Sequence, residues 1–121
     1  MKKIILVVSV LTILFASSIT AMAYNNNASY NGGTVNYTCT VLKAAAVGTT
    51  GYDNPGYIQV VGVFAYDKKN NLLASQYKES DASATGKAVD KKSRISYAKG
   101  THSILDSSRK VLKTYKGTQT F

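Results

Sequence analysis

An all-β fold, a small antiparallel β-sandwich, is predicted by three features of this chain. Along residues 34–121, short runs with two-residue alternation or dense β-branched content recur. Clusters of Gly, Asn, Asp, Pro and Ser separate these runs at a regular spacing. No stretch sustains the helical apolar period of about 3.6 residues.

The first element lies outside that domain. Lys2 and Lys3 precede an apolar run from Ile4 to Phe15, and small residues then lead to Ala21-Met22-Ala23. This is the layout of a signal peptide, a helix over residues 1–23 of bacterial character, cleaved between Ala23 and Tyr24 to release a secreted protein. Residues 4–23 carry no charge, but their second half is Ser, Thr and Ala. That is too polar for a membrane span, which needs about 20 predominantly apolar residues. Residues 24–33, YNNNASYNGG, have no periodicity and predict a flexible N-terminal segment before a single domain over 34–121.

From 34 to about 43, Val35, Tyr37, Cys39 and Val41 alternate with Thr34, Asn36, Thr38 and Thr40, the signature of a half-buried strand. Gly48, Gly51 and Asp53-Asn54-Pro55-Gly56 predict a long loop over 44–56. Residues 57–66 are apolar on both faces and predict a central strand, with 72–78 pairing back on it across a turn at Asp67. A weaker strand follows at 85–89, then a turn at Asp90-Lys91-Lys92-Ser93. In 94–105, Ile95 and Tyr97 are out of phase with His102 and Ile104, and a bulge near Gly100 would bring all four to one face. A turn at Asp106 and a strand over 110–116 end the chain. Six to seven short strands in an immunoglobulin-like layout are therefore expected, with a small closed barrel as the alternative. The Cys-Trp-Cys core of antibody domains is absent, so such a likeness is one of architecture only.

Asp67 and Asp106 head two similar stretches, Asp67-Lys68-Lys69-Asn70-Asn71 and Asp106-Ser107-Ser108-Arg109-Lys110. A calcium loop needs oxygen ligands at alternate positions and a bending Gly, and the first stretch has Lys69 where a carboxylate is required. The second has no further carboxylate. Both therefore read as hairpin turns, with Asp capping backbone N–H groups and a residue of positive φ near the end. Asn70 suits that last position; Arg109 suits it poorly.

The formal charge is +9, and +7 once Lys2 and Lys3 are removed with the leader. Such an excess favours anionic partners, here the polymers of a cell wall, a membrane surface or another protein. It is also within the range of plain solubility. Lys68-Lys69 and Lys91-Lys92 are the only adjacent Lys pairs of the mature chain, and no clustered stripe points to specific nucleic-acid binding.

Catalytic chemistry finds little to work with. Cys39 is the only Cys, so no intrachain disulfide or thiolate zinc site can form, and its apolar neighbours predict an inert buried thiol. His102 is the only His, and Thr101 and Ser103 beside it point to the other face of a strand. Glu79 and Asp81 could form a carboxylate pair, but they sit at a polar strand end. Among nine Tyr, Tyr37, Tyr66 and Tyr97 are expected to fill the core, while Tyr52 and Tyr57 flank the Asn54-Pro55-Gly56 loop as an exposed pair suited to recognition. The reading is a secreted, non-enzymatic module without cofactor or metal that binds a cell surface or wall. Its candidate contacts are Tyr52, Tyr57, Lys68, Lys69, Lys91 and Lys92. A bacteriocin-like antibacterial protein is the alternative.

Overall fold

A computed structural model describes residues 21–121 of the chain. The signal peptide expected over 1–23 lies outside the described residues except for its last three. Eight strands follow: β1 (Met22–Tyr30), β2 (Gly33–Val41), β3 (Ala45–Tyr52), β4 (Ile58–Tyr66), β5 (Leu72–Ser80), β6 (Ala84–Val89), β7 (Tyr97–Leu105) and β8 (Val111–Thr120). All pairings are antiparallel, in two four-stranded sheets ordered β1-β2-β3-β6 and β5-β4-β7-β8. As its two apolar faces predict, β4 is central, bonded to β5 on one side and β7 on the other.

The strand order departs from the immunoglobulin layout. There the first two strands are followed in their sheet by the fifth and fourth. Here they are followed by the third and sixth, because β1, β2 and β3 form a meander before the chain changes sheets.

Two strands stand where loops were expected. Residues 24–30 are not a flexible lead-in but most of β1, paired with β2 from Met22↔Val41 to Tyr30↔Gly33. Asn31 (φ 47°) and Gly32 (φ 82°) form the tight turn between them, the Asn-Gly pair whose two positive φ values suit a two-residue hairpin. Likewise Ala45–Tyr52 is strand β3 rather than the first part of a long loop. Gly48 is there for packing, since a Cβ on it would stand 2.7 Å from Val63 Cγ2.

The packing between the two sheets changes character along its length and falls into two clusters. At one end it is built of small residues: Cys39, Val41 and Ala46 from β2 and β3, Ala84 and Ala88 from β6, Val61, Val63 and Ala65 from β4, and Ala98 from β7, closed by Ile95. At the other end Val35, Tyr52 and Ile104 are packed by Tyr30, Tyr37, Tyr57 and Tyr115. Full burial of a Val or Ile side chain is worth about 1.5–3 kcal/mol over exposure, so these positions dominate the packing energy.

β7 needs no bulge at Gly100. Its register with β4 is regular, placing Ala98, Gly100, His102 and Ile104 inward and Tyr97 outward. Ile95 is buried from the segment ahead of the strand. The irregularity in β7 falls instead at Ile104/Leu105, against β8. Gly100 and its partner Gly117 make room for Tyr24: a Cβ on Gly100 would stand too close to the Tyr24 hydroxyl, and one on Gly117 would stand 2.7 Å from the ring.

Candidate functional site

Strict antiparallel alternation sends successive connections to opposite ends of the molecule. The links 42–44, 67–71 and 90–96 share one end, tied together by backbone bonds. Asp90 N–H donates to Ala44 C=O (2.9 Å), Ile95 N–H to Lys43 C=O (3.1 Å), and Ser96 N–H to Tyr66 C=O (2.8 Å). The links 31–32, 53–57, 81–83 and 106–110 lie at the other end.

Charge separates with them. The three links at the first end carry six cations, Lys43, Lys68, Lys69, Lys91, Lys92 and Arg94, against two carboxylates, Asp67 and Asp90. The four at the far end carry Asp53, Asp81 and Asp106 against Arg109 and Lys110. One pole is basic by four charges and the other slightly acidic.

The turns at the basic pole are built alike. Asn70 (φ 67°) and Ser93 (φ 54°) take the left-handed position three residues after Asp67 and Asp90, as Arg109 (φ 69°) does after Asp106. In each turn the leading carboxylate accepts the backbone N–H groups two and four residues on: Lys69 and Asn71 at Asp67, Lys92 and Arg94 at Asp90, Ser108 and Lys110 at Asp106. The two stretches read as hairpin turns are such turns, and the link at Asp90 is a third. Arg109 adopts positive φ in spite of its side chain, which reaches Glu79 by Nη1–Oε1 at 2.7 Å.

Between the links at the basic pole lies an open cleft of about 640 Å³, lined by Lys43, Lys68, Lys69, Arg94 and Asp67 with Ile95 and Phe121 as apolar walls. Lys43 Nζ stands 5.5 Å from the Phe121 ring centroid. Asp67 offers little to a ligand, because its oxygens accept Lys69 N–H, Asn71 N–H and the Asn71 amide. The Asn71 backbone N–H, ahead of the amide and the Lys69 N–H, holds this carboxyl below its usual range. Asp90 is buried and bound by the Arg94 guanidinium at 3.0 and 3.2 Å, which with the Arg94 and Lys92 N–H groups brings its pKa down to about 2. The ammonium groups of Lys43, Lys68 and Lys69 stand on exposed residues around the rim. Such a rim attracts oxyanions.

Lys68 and Lys69 are thus brought together with Lys43 and Arg94, which sequence reading did not single out, and Lys91 and Lys92 share the neighbouring turn. The two Tyr candidates fare differently. Tyr52 is buried, not exposed: its hydroxyl donates to Tyr30 C=O (2.8 Å) and accepts from Asn54 Nδ2 (2.9 Å). Tyr57 is half-buried, edge-on to Tyr52 at 5.3 Å, at the end opposite the cleft. Asn54, tethered also to Asn31 C=O, closes this loop down on the Tyr rings.

Tyr66 and Tyr97 are not core residues either. They stack on one another at 4.9 Å on the outer face of the second sheet, and Tyr97 donates to Asn70 Oδ1. A second shallow groove of about 480 Å³ runs along that face between Phe64, Tyr66, Lys99, Thr101, Lys116 and Thr118. Tyr37 does pack inward, stacked on Tyr115 at 4.9 Å and tilted on His102 at 5.1 Å.

His102 is fully buried, its Nε2 2.7 Å from the Tyr24 hydroxyl and its Nδ1 2.9 Å from Thr50 Oγ1. Burial pulls its pKa down to about 4, so the ring is neutral at pH 7. Cys39 is buried as its neighbours predict, and burial pushes its thiol up to about 11. Glu79 and Asp81 do not work as a pair, because Arg109 and the Tyr77 hydroxyl hold Glu79. Ala23 and Tyr24, the predicted cleavage residues, lie near the start of β1, opposite Thr40 and Cys39.

No protein-family model matches the chain, and neither a curated protein nor a solved structure is detectably similar to it.

Proposed function

We propose that the chain is exported, loses residues 1–23, and serves as a small non-enzymatic β-sandwich that attaches to an anionic cell surface or wall with its basic pole foremost. The observation that carries this reading is the gathering of six cations into three links at one end, with the carboxylates there occupied by N–H groups and by Arg94. A field of one sign steers and holds a polyanion more strongly than the same charge spread evenly. Cleavage after Ala23 removes only two residues from β1 and leaves Tyr24 in place against His102. Tyr52 and Tyr57, spent on packing, leave the attachment to charge.

The test is retention on isolated bacterial walls. Binding is expected to fall steeply with salt, since exposed charges are screened beyond about 8 Å at physiological ionic strength. Reversing Lys68, Lys69, Lys91 and Lys92 to Glu should abolish it, whereas reversing Lys78, Lys87, Lys110 and Lys113 should weaken it far less. Equal loss in the two variants, or retention that survives high salt, would refute the polar attachment. Killing of neighbouring strains at the binding concentration would move the protein to the antibacterial class.

A further inference from the structure

We infer that the cleft at the basic pole is a site for the phosphodiester groups of a polyol-phosphate chain, an inference that rests on the attachment reading and names its ligand. Its lining brings cations from three separate links to one opening: Lys43 from 42–44, Lys68 and Lys69 from 67–71, and Arg94 from 90–96. Arg94 is paired with Asp90, and the one lining carboxylate side chain, Asp67, already accepts three N–H donors, which leaves Lys43, Lys68 and Lys69 in surplus. The surplus positive charge is therefore turned toward the opening.

The shape selects among anions. About 640 Å³ is far more than a single oxyanion fills and suits several units of a chain. The apolar walls, Ile95 and Phe121, lie beside the cations, with Lys43 Nζ 5.5 Å from the Phe121 ring. Charged and carbon-lined surface thus alternate over a short distance. A polyol phosphate alternates the same way: each phosphodiester carries one negative charge and two free oxygens for Lys or Arg, and the carbon spacer between phosphates can lie on an apolar wall. In polyglutamate the carboxylates end side chains and polar peptide groups connect the units, so no bare carbon spacer runs between the charges, and a free phosphate would leave the walls uncovered.

The experiment titrates the protein recovered from culture supernatant with a labelled poly(glycerol phosphate) oligomer at several salt concentrations. Polyglutamate of equal charge and phosphatidylglycerol vesicles serve as separate arms. Lys43→Gln/Lys68→Gln/Lys69→Gln is compared with Lys78→Gln/Lys87→Gln/Lys110→Gln, which removes the same charge from exposed positions outside both grooves. The cleft variant should bind the oligomer about tenfold or more weakly, with a log–log salt slope reduced by roughly 2, one lost contact per Lys. The control should lose a small fraction of that. Vesicle binding that depends on the same three Lys, without oligomer binding, would place the phosphodiester in a membrane instead of a polymer. Equal losses in the two variants, or equal affinity for polyglutamate, would overturn the inference. Equal losses alongside firm wall retention would sink the cleft alone. Absent wall retention would sink the attachment reading and leave the oligomer titration to decide the cleft.

Discussion

His102 shows how one residue can be legible as an oddity and opaque as to its role. It was conspicuous as the only His, but the chain around it does not reveal that Tyr24 and Thr50, 78 and 52 positions away, supply its two partners. Burial disfavours the imidazolium, while the Thr49 backbone offsets this in part. The ring has an ordinary pKa of 6.5 unfolded and about 4 folded, so the unfolded chain binds the proton more readily between these values. Stability from this site is complete above pH 6.5 and is lost as pH falls toward 4, a change on the order of 2 kcal/mol. Urea denaturation at about pH 7 and about pH 4.5 should show that loss, and His102→Gln should flatten it. A midpoint unchanged between the two pH values in the parent would show that the ring is not buried.

Among the elements, the Asp turns decide most about the site. Their carboxylates cap the chain where it reverses, and the residue three on accepts positive φ, so the Lys residues between are forced outward. The link at Asp90 does more, since Asp90 is buried and also holds Arg94. Asp90→Asn should therefore lower the melting temperature more than Asp106→Asn does. The folded pKa is depressed to about 2 from 3.8, so the carboxylate stabilises above 3.8 and ceases to as pH falls through 2. Parent and Asp90→Asn should differ in melting temperature at about pH 5 and converge near pH 2. A constant difference across that range would mean the charge of Asp90 is immaterial to the turn.

On the scale of the whole molecule, the domain starts at β1 and not at residue 34. β1 supplies Tyr24 to His102 and Tyr30 C=O to the buried Tyr52 hydroxyl, and it flanks Cys39 and Val41 in β2. A chain beginning at Gly33 should lose about 3 kcal/mol or more, through exposed core and unpaired buried polar groups. Its Cys39 should then react quickly with a thiol reagent under native conditions, whereas a chain beginning at Tyr24 should label only on denaturation. A truncated chain with an unchanged denaturation midpoint and a protected thiol would restore the lead-in reading.

What the chain by itself determined is what local chemistry decides. Alternation placed Cys39 inside and marked β2, two-faced apolarity marked β4 as central, and Asp with a following positive-φ residue marked the hairpin ends. Lys68-Lys69 and Lys91-Lys92 were visible as pairs for the same reason, being adjacent in sequence. The Asn31-Gly32 turn was missed with the flexible lead-in expected over 24–33, because β1 before it offers little apolar alternation and only pairing with β2 makes it a strand. β3 looked like a loop because its Gly residues serve neighbours: the room at Gly48 is filled by Val63, fifteen positions on. The strand order, the burial of Tyr52, and the meeting of Lys43, Lys68, Lys69, Arg94 and Phe121 around one cleft were decided only by the tertiary structure. These features depend on which strands pair and which ends coincide, and those choices are made by burial and hydrogen bonding summed over both sheets. No single stretch of the chain carries that sum.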